Sequence, residues 1–376
     1  MNRRDLLRTA LAGSCGAGLC GIVGRLSRSL PASVAPPAYS VIPVVGDGRW
    51  IWKEPPDGET GYLEPRSYDV SVGIEMEGTG PASDITSTTA APLEYPEQKI
   101  ENKSIETSGC QAELRKLAEG AGQLVLAAAG IDRGQVIRAV ARFSMTLFKQ
   151  FFAYHADQFP AKQELPPDVR KSYLQDSPGI QVRSRQVRAL AAELTSGTPK
   201  HPFEQARAFA EWVPQNIKPQ IGAYTSVTAA LDDRRGDCEE MAAVFVALCR
   251  AVGIPARLVW VPNHNWAEFY LSDSDGKGHW IPAHTACYSW FGYNGAHELV
   301  LQKGDRIVLP ERRKQVRLLA DWLHCAGSPP KVRYTAELTP LADEPGGDAG
   351  PGARRKDERG EWRIVGNHTF DVAMRR

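Results

Sequence analysis

The sequence predicts an α+β protein, with a β-rich, sandwich-like first part followed by helices that run into antiparallel strands. Three observations carry this. Residues 67–74 and 137–147 alternate polar and apolar with period two, as a half-buried strand does. From about Gln181 the apolar residues recur three and four apart, the period of a helix. After Val252 the period returns to two, in three short runs separated by turn residues. The 376 residues carry 45 Lys plus Arg against 44 Asp plus Glu. That balance lacks the basic excess of a nucleic-acid binder.

Taken in order, residues 1–35 read as a targeting segment. Asn2-Arg3-Arg4-Asp5-Leu6-Leu7 precedes a mild, Gly-rich apolar stretch from Thr9 to Gly24. Paired arginines before such a run resemble a twin-arginine export signal, and a disordered basic tail is the alternative. Beyond the N-terminus no run is apolar enough for a membrane-spanning helix. An exported, periplasmic or cell-envelope protein is expected.

Residues 36–160 are expected to be a β-rich domain. Ser67 to Ile74 is one strand. Ile137, Ala139, Ala141, Phe143, Met145 and Leu147 line one face of another, although its length and composition would also suit a helix. Residues 161–340 form a second domain. Val187, Leu190, Ala191 and Leu194 mark its first helix. His201-Pro202-Phe203-Glu204 opens a second helix, with Phe209, Trp212 and Val213 on its apolar face. A loop through Tyr224 follows, and a third helix runs from Cys238 to Val252. Its stripe is Met241, Ala242, Phe245, Leu248, Cys249 and Val252, and Gly253-Ile254-Pro255 ends it. Strands are expected at 256–261, 265–271 and 279–283, the last two joined by a hairpin loop. Residues 341–376 read as a linker and tail, with a strand from Glu361 to about Val372.

Cys238 begins a buried helix, where the positive end of the helix dipole favours thiolate, the nucleophilic form. Asp237, Glu239 and Glu240 act against this, because negative charge raises a thiol pKa. A buried structural cysteine is the plain alternative. Cys249 lies on the apolar stripe and, like Cys287, reads as structural. His264 stands before a strand, from which an imidazole can reach a thiol and form the thiolate–imidazolium pair of thiol hydrolases. Cys238, His264, His284 and Cys287 could together suit a metal by ligand type. The reading adopted has no metal and no cofactor.

Gly236-Asp237-Cys238, then Arg250-Ala251-Val252-Gly253-Ile254-Pro255-Ala256-Arg257, then His264-Asn265-Trp266-Ala267-Glu268 resemble the transglutaminase-like superfamily in order and spacing. The resemblance covers about residues 165–300. It implies a papain-like core with Cys238 as nucleophile and His264 as base, acting on amide bonds of a protein or peptide substrate. In the family a third strand carries Trp-x-Pro-x-Asp, whose Asp orients the histidine. Here Trp280-Ile281-Pro282-Ala283 leads to His284, which brings no negative charge. Two readings follow: an exported thiol enzyme with His284 as orienter, or a weakened or inert member that binds. Glu268 could supply the missing acid only if the strand register allows it, and it reads rather as a fold-stabilising residue.

Overall fold

A computed structural model describes residues 60–341 except 118–119, 198–199, 221, 263 and 287–289, together with 354–356 and 362–364. The expected targeting segment lies outside the described residues. Six long strands come first: β1 (Gly61–Glu77), β2 (Ala82–Ala91), β3 (Gln98–Ser108), β4 (Gln111–Leu117), β5 (Ala121–Ile131) and β6 (Val136–Phe151). The alternation along β6 decides between strand and helix. Ile137, Ala139, Ala141, Phe143, Met145 and Leu147 are all buried, and they meet Tyr68, Val70, Val72, Ile74 and Met76 of β1 in one core.

The middle of the chain supplies α1 (Pro167–Tyr173), α2 (Arg185–Thr195), α3 (Pro202–Asn216), β7 (Lys218–Pro219), α4 (Val227–Asp233), β8 (Arg235–Gly236) and α5 (Cys238–Ala251). The segment before Cys238, expected as loop, contains α4. Its Ser226 cap accepts a hydrogen bond from the Ala229 N–H. Then come β9 (Ala256–Val261), β10 (His264–Ser272) and β11 (Gly278–Ala283), within a residue of the expected strands. The remaining strands are β12 (Tyr293–Asn294), β13 (Gln302–Lys303), β14 (Ile307–Leu309), β15 (Lys314–Val316), β16 (Trp322–Gly327), β17 (Lys331–Pro340), β18 (Arg354–Lys356) and β19 (Trp362–Ile364). β18 and β19 pair within the expected linker and tail.

One sheet has the order β12-β6-β1-β17, with β3 also on β6. The other has the order β11-β10-β9-β13-β5-β2-β16, with β4 also on β5. The change of composition near residue 160 is therefore a change of element type and not a gap between two bodies. β13 pairs with β5 on one side and β9 on the other, so strands from both sides of residue 160 share one sheet. The described residues all belong to the unit Tyr39–Arg376. None of their helices is long and apolar enough to cross a membrane.

Helix α5 is the centrepiece of the second half. Every residue from Cys238 to Arg250 is buried, and α5 packs against β9 and β10 and against α2, α3 and α4. Each fully buried Leu, Val, Phe or Met on it contributes about 1.5–3 kcal/mol by leaving water. Gly253 ends it with φ 88°, a left-handed turn that suits glycine. The N–H groups of Gly253 and Ile254 close back on the carbonyls of Arg250 and Cys249.

Candidate active site

The approach to Cys238 is pinned on both sides. β7 and β8 pair in parallel, and the Gln220 N–H donates to the Gly236 carbonyl at 2.8 Å. Gly236 has a steric reason: a Cβ there would lie 2.4 Å from the Cβ of Glu240. Asp237 is the N-cap of α5. It accepts the Glu239 N–H at 2.8 Å, and its own N–H donates to Glu240 at 3.0 Å, a reciprocal capping box.

This cap removes much of the negative charge that the sequence places beside the thiol. Burial first, then the hydrogen bond to Glu240 and the charges of Glu240 and Glu239, push the Asp237 pKa up to about 9. Asp237 is thus protonated at neutral pH. Glu239 is ion-paired with Arg317, whose Nε donates at 2.5 Å and whose guanidinium lies 3.4 Å from the Tyr224 ring centroid. Glu240 accepts the Thr225 N–H at 2.9 Å. A cleft of about 440 Å³ opens beside this segment, lined by Gln220, Thr225, Asp233, Arg235, Gly236 and Glu240 among others.

The motif after α5 also has a structural reason. Arg250 is buried, donates to the Ala256 carbonyl and forks onto both oxygens of Asp305 at 2.9 and 2.7 Å. It ties the end of α5 to the start of β9. Cys249 is buried too, and burial pushes its thiol well above the ordinary value, against the pull of Arg250. It is a core residue, as its place on the stripe suggests.

Topology sets the level of His264. Fourteen residues of α5 rise about 21 Å, and six residues of β9 return about 20 Å. Residues 262 and 263 then lead into β10, so His264, its first residue, starts at the end of the sheet where α5 begins. His264 pairs with Val261 and is 1% exposed. Alternation puts His264, Trp266 and Glu268 on one face. The other face, with Ala267 and Phe269, meets α5, and the Phe245 and Phe269 rings lie 6.2 Å apart.

β11 brings His284 to the same end. Ala283 pairs with Ala267, and His284 follows it, with its N–H on the Trp290 carbonyl at 2.9 Å. The His284 ring stacks on Trp266 at 4.8 Å and lies 5.9 Å from the His264 ring at 21°. Burial first, and then His264, push the His284 pKa well below its usual value, which favours the neutral ring. Cys238 is 3% exposed and belongs to the same apolar core as β1 and β6. Cys287 lies outside the described residues, among which no three His, Cys, Asp or Glu are grouped to hold a metal.

Glu268 serves the fold. Lys303 Nζ donates to its Oε1 at 2.6 Å and Arg257 Nε to its Oε2 at 2.7 Å. Lys303 also pairs with Glu97 at 2.5 Å, and Arg257 stacks on Trp280 at 3.8 Å. Burial pushes the Glu268 pKa up, but the two cations outweigh it and hold the pKa below the usual value. The expected hairpin turn closes on Asp273, which accepts N–H groups from Asp275 and Lys277 and pairs with His279 at 2.7 Å.

Comparison with known proteins bears on the fold of this region. Residues 188–285 match the transglutaminase-like superfamily. The chain carries a transglutaminase-like domain. A candidate cysteine protease from Cytophaga hutchinsonii has a similar solved structure, with a TM-score of 0.54 at 15% identity, over 75% of this chain and 93% of that one. At that identity the likeness concerns the fold alone. A peptide-N(4)-(N-acetyl-beta-glucosaminyl)asparagine amidase from Yarrowia lipolytica is 30% identical over 76 residues. The match spans 20% of this chain and 20% of that enzyme. The transglutaminase-like domain accounts for α2 to β11, and the β-rich region precedes it in the chain.

Proposed function

We propose that this protein is an exported thiol enzyme that acts on amide bonds of proteins or peptides through a Cys238 thioester. His264 takes the thiol proton and later gives it to the leaving amine, and neutral His284 orients His264. The observation that carries this reading is the meeting of α5 and β10 at one end of the sheet. Cys238 heads one, His264 heads the other, and His284 lies against His264. Because α5 covers the face opposite Trp266, His264 reaches the thiol around the end of the sheet. The cap supports the reading, since Asp237 is protonated and Glu239 is balanced by Arg317.

The cleft beside Gly236 offers a substrate path to the first turn of α5. An amidase among the relatives and a candidate cysteine protease among the similar folds both fit amide chemistry at a thiol. Transfer to an amine and transfer to water use the same thioester. Substrate profiling with the purified chain, set against a Cys238→Ser control, tests the activity: label or cleavage that persists in the control rules the thioester out. Export is tested apart, by Arg3→Lys with Arg4→Lys. A precursor retained in the cytoplasm is expected, and unchanged export contradicts it.

One observation favours a second reading, a weakened or inert binder of the cell envelope. His284 stands where a carboxylate would stabilise imidazolium. Under that reading Cys238 reacts with alkylators as an ordinary buried thiol does.

A further inference from the structure

Asn265 and Trp260 face each other across the β9–β10 ladder. Directly opposed residues project from the same face of a sheet, with Cβ atoms about 4.5–5.5 Å apart. That face is the one α5 covers, because Phe269, on the same face by alternation, has its ring 6.2 Å from that of Phe245 on α5. Along the strands, Asn265 and Trp260 lie one step from the β9–β10 connection, the end of β9 that the lengths of α5 and β9 bring level with the start of α5. Both side chains are 1% exposed. The Asn265 amide nitrogen and oxygen and the Trp260 indole nitrogen are sealed from solvent, with no hydrogen-bond partner among the described residues.

A buried amide without a partner is costly, and an apolar side chain of the same shape would avoid the cost. Unanswered donors at a thiol enzyme's nucleophile have a chemical use. They can wait for charge that exists only during the reaction. We propose that Asn265 Nδ2–H and Trp260 Nε1–H donate to the carbonyl oxygen of the acyl group that Cys238 attacks. The assignment rests on the thiol-enzyme reading above.

In the step concerned, the Cys238 thiolate forms a C–S bond and the carbonyl π pair moves onto oxygen. The two N–H groups hold that oxyanion. On collapse the carbonyl re-forms and the C–N bond breaks. The leaving amine takes the proton that His264 had removed from the thiol. Attack on the thioester by water or an amine passes through a second oxyanion at the same place.

Two reagents separate this role from a structural one. p-Nitrophenyl acetate acylates a thiol through an oxyanion, whereas iodoacetamide alkylates it by displacement with none. Asn265→Leu and Trp260→Phe in the full chain should each slow acylation of Cys238 by about 10²–10³-fold, the scale of losing one such donor. Alkylation of Cys238 should stay within about twofold of wild type, since it needs no such donor. Asn265→Leu should melt no lower than wild type, because it removes an unanswered amide.

Unchanged acylation in both folded variants overturns the assignment. Acylation and alkylation that fall together also overturn it, because a structural role would do that. If Asn265→Leu does not fold, Trp260→Phe decides by the same pair of rates. A wild-type Cys238 inert to both reagents overturns the thiol reading itself, and this assignment with it.

Discussion

Two buried polar places lie four residues apart on β10, and they are built differently. At Glu268 every charge is answered. Arg257, Lys303 and Glu97 complete a set of two cations and two carboxylates, with Trp280 over the Arg257 guanidinium. At the His264 end, a neutral His284 stands in place of a carboxylate, and the Asn265 amide has no hydrogen-bond partner among the described residues. A satisfied buried network rigidifies a fold, while a partly satisfied one costs stability. The contrast assigns the first place to holding β9, β10 and β13 together, and on the proposed thiol-enzyme reading it leaves the second for chemistry.

The largest expected effect breaks the first place. Glu268→Gln leaves the half-buried Arg257 without its carboxylate and Lys303 with Glu97 alone, and a broken buried pair typically costs about 3–5 kcal/mol. Urea unfolding measures this, and a loss below about 1 kcal/mol, the scale of an exposed ion pair, would erase the contrast.

At the second place, effects should fall on rate more than on stability. His284→Ala should slow alkylation of Cys238 by about 10–100-fold, the lower part of the range for acid–base effects. His284→Asp should raise it near neutral pH, where a carboxylate stabilises the imidazolium. Second-order alkylation rates decide, and no change in either variant favours the inert binder. His284 also makes a pH prediction. Its folded pKa is depressed, so its contribution to stability is present above the ordinary histidine value and lost as pH falls below it. His284→Phe should flatten the melting temperature over that acid range. An unchanged acid limb would mean that burial of a neutral His284 is not what the fold feels.

Asp237 has the opposite sign. Its pKa is raised from 3.8 to about 9, so its contribution is full below the lower value and fades as pH rises toward the higher one. Asp237→Asn keeps a capping side chain and should reduce the fall in melting temperature between those limits. A slope as steep as wild type would contradict the protonated cap. The smallest effect belongs to Arg317→Gln, which leaves Glu239 unbalanced beside the thiol. Alkylation at neutral pH should drop by about tenfold, or one pKa unit, and high salt should shrink the difference. An unchanged rate would show that Glu239 does not act on Cys238.

Much of this site was legible in the sequence because its signals are local. The stripe from Met241 to Cys249 gives α5, Gly253 gives its end, and Trp280-x-Pro282 points to His284. The reason for Gly236 and for Arg250 appears only in three dimensions, in the Cβ clash with Glu240 and in the fork onto Asp305. Arg317 stands 78 positions from Glu239 and carries no motif. Asn265 sits between two motif residues and becomes informative only once its register with Trp260 is known. Elsewhere, α4 buries only Val227, Ala230 and Leu231, too few for a clear period. The two-residue strand β13 has no period at all, yet it joins the two halves of a sheet. The alternation of Tyr334, Ala336 and Leu338 signals β17, but nothing local says that its partner is β1.

The central claim is that His264 and Cys238 work as a pair at the end of the sheet. The most direct test is the pH dependence of Cys238 alkylation by iodoacetamide, in wild type and in His264→Ala. The account predicts a wild-type rate that rises and levels off near neutral pH, and a variant whose rate climbs only in the range of an ordinary thiol. Identical profiles in the two proteins would contradict it.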